Sequence, residues 1–231
     1  MSPGAERLPL PQPGRNTIYG AALNYRSTLA SLGSALDAKP YGAPPQRPVL
    51  YIKPANTWIC GGTPIPLPVD VPAVQAGVTL AAVIGRDMRR VAAAAALDYV
   101  AGFTVVNDIT APHSDYFRPV IRNRCRDGFC PIGSVLVEPR RAPPLDALEM
   151  RVSVNGRLAG TDSTAGLVRP VAVLLADVST LFTLAAGDLL LIGSAPNSPL
   201  VRAGDHVVVE IDGIGRIENP VIAAQAGTVA A

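Results

Sequence analysis

Lysine and glutamate are both scarce in this 231-residue chain. Lysine stands only at Lys39 and Lys53, so the positive charge is nearly all arginine. Glutamate stands only at Glu6, Glu138, Glu149, Glu210 and Glu218. Between Glu6 and Glu138 the acids are Asp37, Asp70, Asp87, Asp98, Asp108, Asp115 and Asp127. With two histidines, His113 and His206, a Ser-His-Asp arrangement has little choice of base, and without a G-x-S-x-G elbow serine-hydrolase chemistry has no support. P-loop and G-x-G-x-x-G motifs are missing, which removes the case for nucleotide binding. A net charge of +2 gives no electrostatic reason to expect nucleic acid or an anionic membrane as partner. Cys60, Cys125 and Cys130 are odd in number and lack CxxC spacing, which predicts free thiols in a reducing compartment. The longest apolar candidate, Val171 to Leu191, is interrupted by Asp177, Ser179, Thr180, Gly187 and Asp188 and falls short of the ~18 residues of a membrane span. The Pro-rich start MSPGAERLPLPQPGRN has no apolar core of a signal peptide, and a cytoplasmic protein is expected.

Apolar residues make up 48% of the chain, mostly Val, Ile, Leu and Ala, enough for a sizeable core. Residues 1–16 read as a flexible arm and 17–231 as one domain. Strands are predicted at Thr17–Leu23, Val49–Lys53, Val78–Ile84, Val100–Asn107, Val135–Glu138, Arg151–Asn155, Leu189–Ile192 and Val207–Ile211. Four prolines confine 60–76 to an edge strand or a wall loop. Asn155-Gly156 signals a type I′ hairpin. The apolar stripe Val171, Leu174, Leu175, Val178, Leu181, Phe182 predicts a helix, and Arg26–Leu36 and Ala92–Tyr99 predict shorter ones. The sum is about ten short strands and two or three helices without regular alternation. It predicts an α+β, mainly β class: a mixed β-sandwich roll with a few short helices.

Asp108 ends an apolar strand beside Asn107, either as a site carboxylate or as an Asx-turn cap. With His113 and Asp115 it forms an Asp/His/Asp set able to hold a divalent ion, though the spacing is generic. Arg122, Arg124 and Arg126 form a basic loop near Asp127, either a carboxylate-binding fork set or solvated surface charge. His206 follows a Gly-Asp turn and is expected to be exposed.

Nine segments occur in order: LNYR (23–26), YIKP (51–54), TLAAVIGR (79–86), ALDYVAGFTVVND (96–108), RCRDGFCPIG (124–133), VNG (154–156), AAGDLLLIGS (185–194), GD (204–205) and IDGIGRIEN (211–219). Together they resemble the fumarylacetoacetate hydrolase family over nearly the whole chain. LYIKPANT, PHSDYFRP and CRDGFCPIG are similar to one branch of it, the decarboxylase/isomerase of homoprotocatechuate (4-hydroxyphenylacetate) catabolism, in its N-terminal half or first subunit. The resemblance implies a mixed β roll, a Mg²⁺ or Mn²⁺ site, and 2-oxo-ene di- or tricarboxylate substrates. It implies a cytoplasmic homodimer, or a heteromer with an intact paralogue.

It also implies particular positions. The family's Glu-x-Glu metal ligands fall on Gly77 and Thr79, leaving Asp108 as the surviving ligand. Its lysine falls on Arg124, which keeps the charge without serving as a base. A family histidine falls on Thr28, an Arg-Asp pair on Pro112-His113, and a substrate-contacting threonine on Ser194. By this resemblance Arg124, Ser194 and His113 are the catalytic candidates, and Arg124, Arg126, Tyr25 and Ser194 the substrate-binding ones. A Mg²⁺ or Mn²⁺ site reduced to Asp108 is expected to bind its ion weakly or not at all. Two functions stand side by side: an isomerase/decarboxylase subunit acting on 5-oxopent-3-ene-1,2,5-tricarboxylate or 2-hydroxyhepta-2,4-diene-1,7-dioate, and a catalytically degenerate partner of an intact relative. A ligand-binding homodimer without turnover is the third.

Overall fold

The computed structural model describes residues 11–12, 14–113, 116, 118–194 and 198–224, and the backbone strand Glu6–Arg7. Two curled sheets carry the fold. The larger has seven strands in the spatial order Val49–Lys53, Ile18–Ala22, Leu189–Leu191, Val78–Ile84, Val100–Asn107, Cys130–Ile132 and Trp58–Cys60. The smaller has five: Arg157–Ser163, Glu149–Val154, His206–Ile211, Gly215–Ala223 and Ile65–Leu67. Both are mixed, because Leu189–Leu191 runs parallel to Ile18–Ala22 and Ile65–Leu67 parallel to Gly215–Ala223. This is the mainly-β mixed roll that the sequence predicts.

The core lies between the sheets and under the Val171–Leu181 helix. Leu80, Ala82 and Ile84 face it. Their neighbours Ala81 and Val83 face the opposite side, where they join Ile18, Val106, Cys130, Ile132, Leu189 and Leu191 in a second buried cluster. The large sheet is thus buried on both faces, which is why VTLAAVI reads as an unbroken apolar run rather than an alternating one. Burial pushes the Cys130 thiol up to about 12, as for an unreactive structural cysteine.

Local signals are obeyed where the chain turns. Asn155 and Gly156 take φ of 51° and 76°, the left-handed pair that a type I′ hairpin requires. Asp188 accepts from the amides of Thr17 (2.7 Å) and Ala185 (2.8 Å), so its Gly-Asp turn is structural. His206 is exposed.

Other expectations need amendment. Ala93–Tyr99 forms a 3₁₀ helix, not an α-helix. Leu181, placed in the buried helical stripe, is 44% exposed at the helix end. The segment 60–76 does supply an edge strand, Ile65–Leu67. Gly215–Ala223, which carries no clean alternation, is the longest strand among the described residues. Within the expected arm, Glu6–Arg7 pairs with Val135–Leu136.

Candidate functional site

Strand register assembles the site. Val78 pairs with Asn107 and Thr79 with Val106, which sets Gly77 opposite Asp108 just beyond the paired ends; the Asp108 amide donates to the Gly77 carbonyl at 2.7 Å. Side chains alternate along a strand, so Gly77, Thr79, Val106 and Asp108 share one sheet face. On the same face, Tyr51 pairs with Gly20 and Lys53 with Ile18. A carboxylate, a phenol and a lysine therefore converge where the apolar second cluster ends.

Asp108 is the hub of this face. Its Oδ2 accepts from the Tyr51 hydroxyl at 2.5 Å and from Arg124 Nη1 at 2.6 Å. Lys53 Nζ lies 2.8 Å from Oδ1, and both side chains are fully buried. The three ammonium hydrogens are directed at the carbonyls of Ile109 (2.7 Å), Phe129 (2.9 Å) and Arg124 (3.1 Å). The Lys53–Asp108 contact is thus mainly coulombic, and Oδ1 has no aligned donor. Burial alone would push the Asp108 carboxyl up, but the Lys53 and Arg124 charges overcome it and hold it at about 2. Burial and the neighbouring Asp108 raise the Tyr51 phenol well above its ordinary range. Burial opposes the Arg124 charge, and Asp108 more than restores it. The guanidinium also stacks 4.2 Å from the centre of the Tyr51 ring.

Tyr51 owes its place to Gly20. A Cβ at residue 20 would fall inside the Tyr51 ring. Gly20→Ala is expected to displace the ring, unhook its hydroxyl from Asp108 and cost about 1–3 kcal/mol by overpacking. Urea unfolding monitored by circular dichroism checks it, and an unchanged midpoint would contradict it.

A polar pocket of about 100 Å³ opens beside this network. Thr28, Gln75, Thr110, His113, Arg124 and Ser194 contribute to its wall. Asp108, Arg124, Ser194 and His113 thus line one pocket, with His113 edge-on to Tyr116 at 5.0 Å between ring centres. Asp115 lies outside the described residues.

Two substrate-binding assignments fail on geometry. Arg126 is turned away and grips Asp70 with both terminal nitrogens, at 2.5 and 2.8 Å. Arg122 joins it on Asp70 at 3.3 Å. Arg126 lies past the end of the Ile121–Arg124 turn, where its Nε donates to the Arg122 carbonyl at 2.7 Å and its terminal nitrogens reach Asp70, while Arg124 turns to Asp108. Tyr25 is 1% exposed and packs against Gly166. Burial and the nearby Asp162 push its phenol up, and it lines neither wall of the cleft.

Sequence reasoning overlooked Lys53 and Tyr51 as site residues. In VLYIK the pattern is inverted: Lys53 is fully buried, while Ile52 is 43% exposed. Hydrophobic alternation assigns the opposite face. A usable signal was present, since Lys53 is one of only two lysines and sits inside an apolar strand.

The donor set does not fit a divalent ion. Hard cations take several oxygen ligands. Gly77 has none, the Thr79 hydroxyl donates to the Gly193 carbonyl at 2.7 Å, and Asp108 already serves two cations and a phenol. No trio of His, Cys, Asp or Glu able to hold a metal occurs among the described residues. Position 77 itself has no room for a side chain as the neighbours stand, because a Cβ there would lie 2.9 Å from both the Asp108 carbonyl oxygen and Ser194 Cβ.

Residues 17–222 match the fumarylacetoacetate (FAA) hydrolase C-terminal model. The chain belongs to that family. It is 38% identical over 209 residues to the 4-hydroxyphenylacetate degradation bifunctional isomerase/decarboxylase of Salmonella dublin, covering 90% of this chain and 48% of that protein. The chain thus spans about half the length of the first curated relatives it matches. Among solved structures, 5-carboxymethyl-2-hydroxymuconate delta-isomerase from Mycobacterium smegmatis superposes with a TM-score of 0.79 at 29% identity, over 96% of this chain and 83% of its own. Maleylpyruvate hydrolase from Sphingobium sp. SYK-6, in complex with manganese(II) and pyruvate, gives 0.77 at 25% identity, over 95% and 74%. No helix among the described residues is long and apolar enough to cross a membrane.

Proposed function

We propose that this chain serves 4-hydroxyphenylacetate breakdown as the metal-free member of an isomerase/decarboxylase pair. Turnover of the 2-oxo-ene di- or tricarboxylate resides in a second, intact family unit bearing Glu-x-Glu, on the same or another chain. The observation that carries this reading is the internal neutralisation of Asp108. Lys53 and Arg124 supply at 2.8 and 2.6 Å the positive charge that a divalent ion supplies in a metal-dependent relative. A lone Asp whose charge two cations already balance is a poor ligand set for a hard divalent ion. The match to proteins about twice its length supports a second unit of similar size. A homodimer of this chain would carry the same altered cage twice, which favours a heteromeric arrangement for turnover.

The test is an assay of CO₂ release from 5-oxopent-3-ene-1,2,5-tricarboxylate with Mn²⁺ added. The chain alone is expected to release none, and to co-elute with a Glu-x-Glu relative that does. Release by the chain alone, abolished by chelator and by Asp108→Asn, would overturn the proposal.

A further inference from the structure

Two cavities meet at Arg124. One is the polar pocket of about 100 Å³. The other is an open groove of about 460 Å³, walled chiefly by Tyr19, Leu50, Ile52, Val120, Ile121 and Phe182. Ala22, Tyr116 and Arg124 line both. The Tyr19 and Phe182 rings pack at 4.7 Å between centres, giving the groove an aromatic wall. The inverted strand VLYIK produces this layout: its polar residues turn inward to Asp108, and Leu50 and Ile52 are left to line the groove.

Arg124 has capacity to spare at the junction. Its side chain is nine-tenths buried, Nη1 is on Asp108, and Nε is buried with no partner. Thr110 Oγ1, in the wall of the same polar pocket, is also buried and unpartnered. Buried donors left unmade are costly, and a guanidinium is best satisfied by a carboxylate. The polar pocket has the volume of about three waters. That admits a carboxylate and one adjoining polar group, which Thr28, Gln75 and Ser194 can meet. Beyond Arg124, the only other charged residue lining the groove among the described residues is the exposed Arg118.

We infer that this cleft is a metal-independent ligand site for monocarboxylates with an adjoining carbonyl or hydroxyl and an apolar, planar body. The carboxylate sits on Arg124 and the body lies against Phe182 and Ile121. The site is separate from the turnover assigned to the intact relative, and selects against a second carboxylate because the groove offers it mainly apolar surface.

Calorimetric titration of the chain in chelator-containing buffer tests this, using phenylpyruvate, pyruvate and 2-oxoglutarate as probes. Phenylpyruvate is expected to bind at least about tenfold more tightly than either other acid, from the apolar area it buries. Arg124→Gln is expected to abolish binding. Should that variant fail to fold, Ile121→Ser, half-exposed on the groove wall, is expected to erase most of the phenylpyruvate advantage. Arg126→Ala, outside the cleft, should leave all three affinities unchanged. A 2-oxoglutarate affinity equal to or above that for phenylpyruvate overturns the inference while leaving the metal-free reading intact. Binding that appears only with Mn²⁺ overturns both. No binding of any probe, or an unaltered advantage in Ile121→Ser, overturns the inference alone.

Discussion

Asp108→Ala is expected to lower folding stability by about 3–5 kcal/mol, because it strands two buried cations. Lys53 is fully buried and Arg124 nearly so, and the carboxylate between them is their common counter-charge. Denaturant unfolding in chelator measures the loss. The result separates two roles. A carboxylate kept only as a metal ligand is a liability in metal-free protein, and its removal leaves stability unchanged or improves it. A carboxylate that neutralises Lys53 and Arg124 is needed whether or not metal is present.

The same carboxylate sets an acid limit. Its folded-state value is held at about 2, below the ordinary 3.8. A group depressed in the folded state stabilises the protein above its unfolded value, and the gain is lost as pH falls through the folded one. Asp108 is thus expected to contribute about 2 kcal/mol at neutral pH. That contribution should drain away between about pH 4 and pH 2 and be missing from the Asp108→Ala profile. Parallel profiles for the two proteins across that window would contradict the assignment.

Lys53→Met is expected to cost a similar amount, about 3–5 kcal/mol, by a different route. Methionine fills the space of the side chain but donates nothing. The carbonyls of Ile109, Arg124 and Phe129 lose their shared donor, and Asp108 keeps only Arg124 and Tyr51. Lys39 is exposed and provides the control, since Lys39→Met should stay within about 0.5 kcal/mol of the parent. A double-mutant cycle with Asp108→Asn should return a coupling of about 1–3 kcal/mol, and additivity would show that the pair acts independently.

How much of this was legible in the sequence differs between fold and site. The strands of the large sheet were readable because Val78–Ile84 and Val100–Asn107 are apolar runs bounded by turn residues. The Asn155-Gly156 hairpin was readable because its dipeptide has few other uses. Gly215–Ala223 was not, because Pro220 and Glu218 break its alternation; its pairing with His206–Ile211 on one side and Ile65–Leu67 on the other stabilises it instead. In the site, Asp108 stood out at a strand end, and the resemblance pointed to Gly77, Thr79, Arg124 and Ser194. What it could not convey was where a side chain points. Arg126 and Arg124 look alike in RCRDG, yet Arg124 ends a short helix and reaches Asp108, while Arg126 lies beyond that end and reaches Asp70. Tyr25 lies in a family segment but is consumed in packing against Gly166. Lys53 was hidden by its strand's inverted pattern, since an apolar residue on a partly exposed edge strand and a buried lysine are both exceptions to simple burial.

The proposed absence of a Glu-x-Glu cage and the engagement of Asp108 are connected physically. A buried carboxylate must be neutralised by neighbouring groups. Lys53, Arg124 and Tyr51 do so, and Gly77 lets Ser194 close over the gap. The most direct measurement is a titration of the chelator-stripped chain with Mn²⁺, followed by electron paramagnetic resonance of the free aquo ion. The expected result is that the free-ion signal rises in step with added Mn²⁺, as in buffer, for both the parent and Asp108→Asn. A stoichiometric loss of that signal in the parent, restored by Asp108→Asn, would contradict the account.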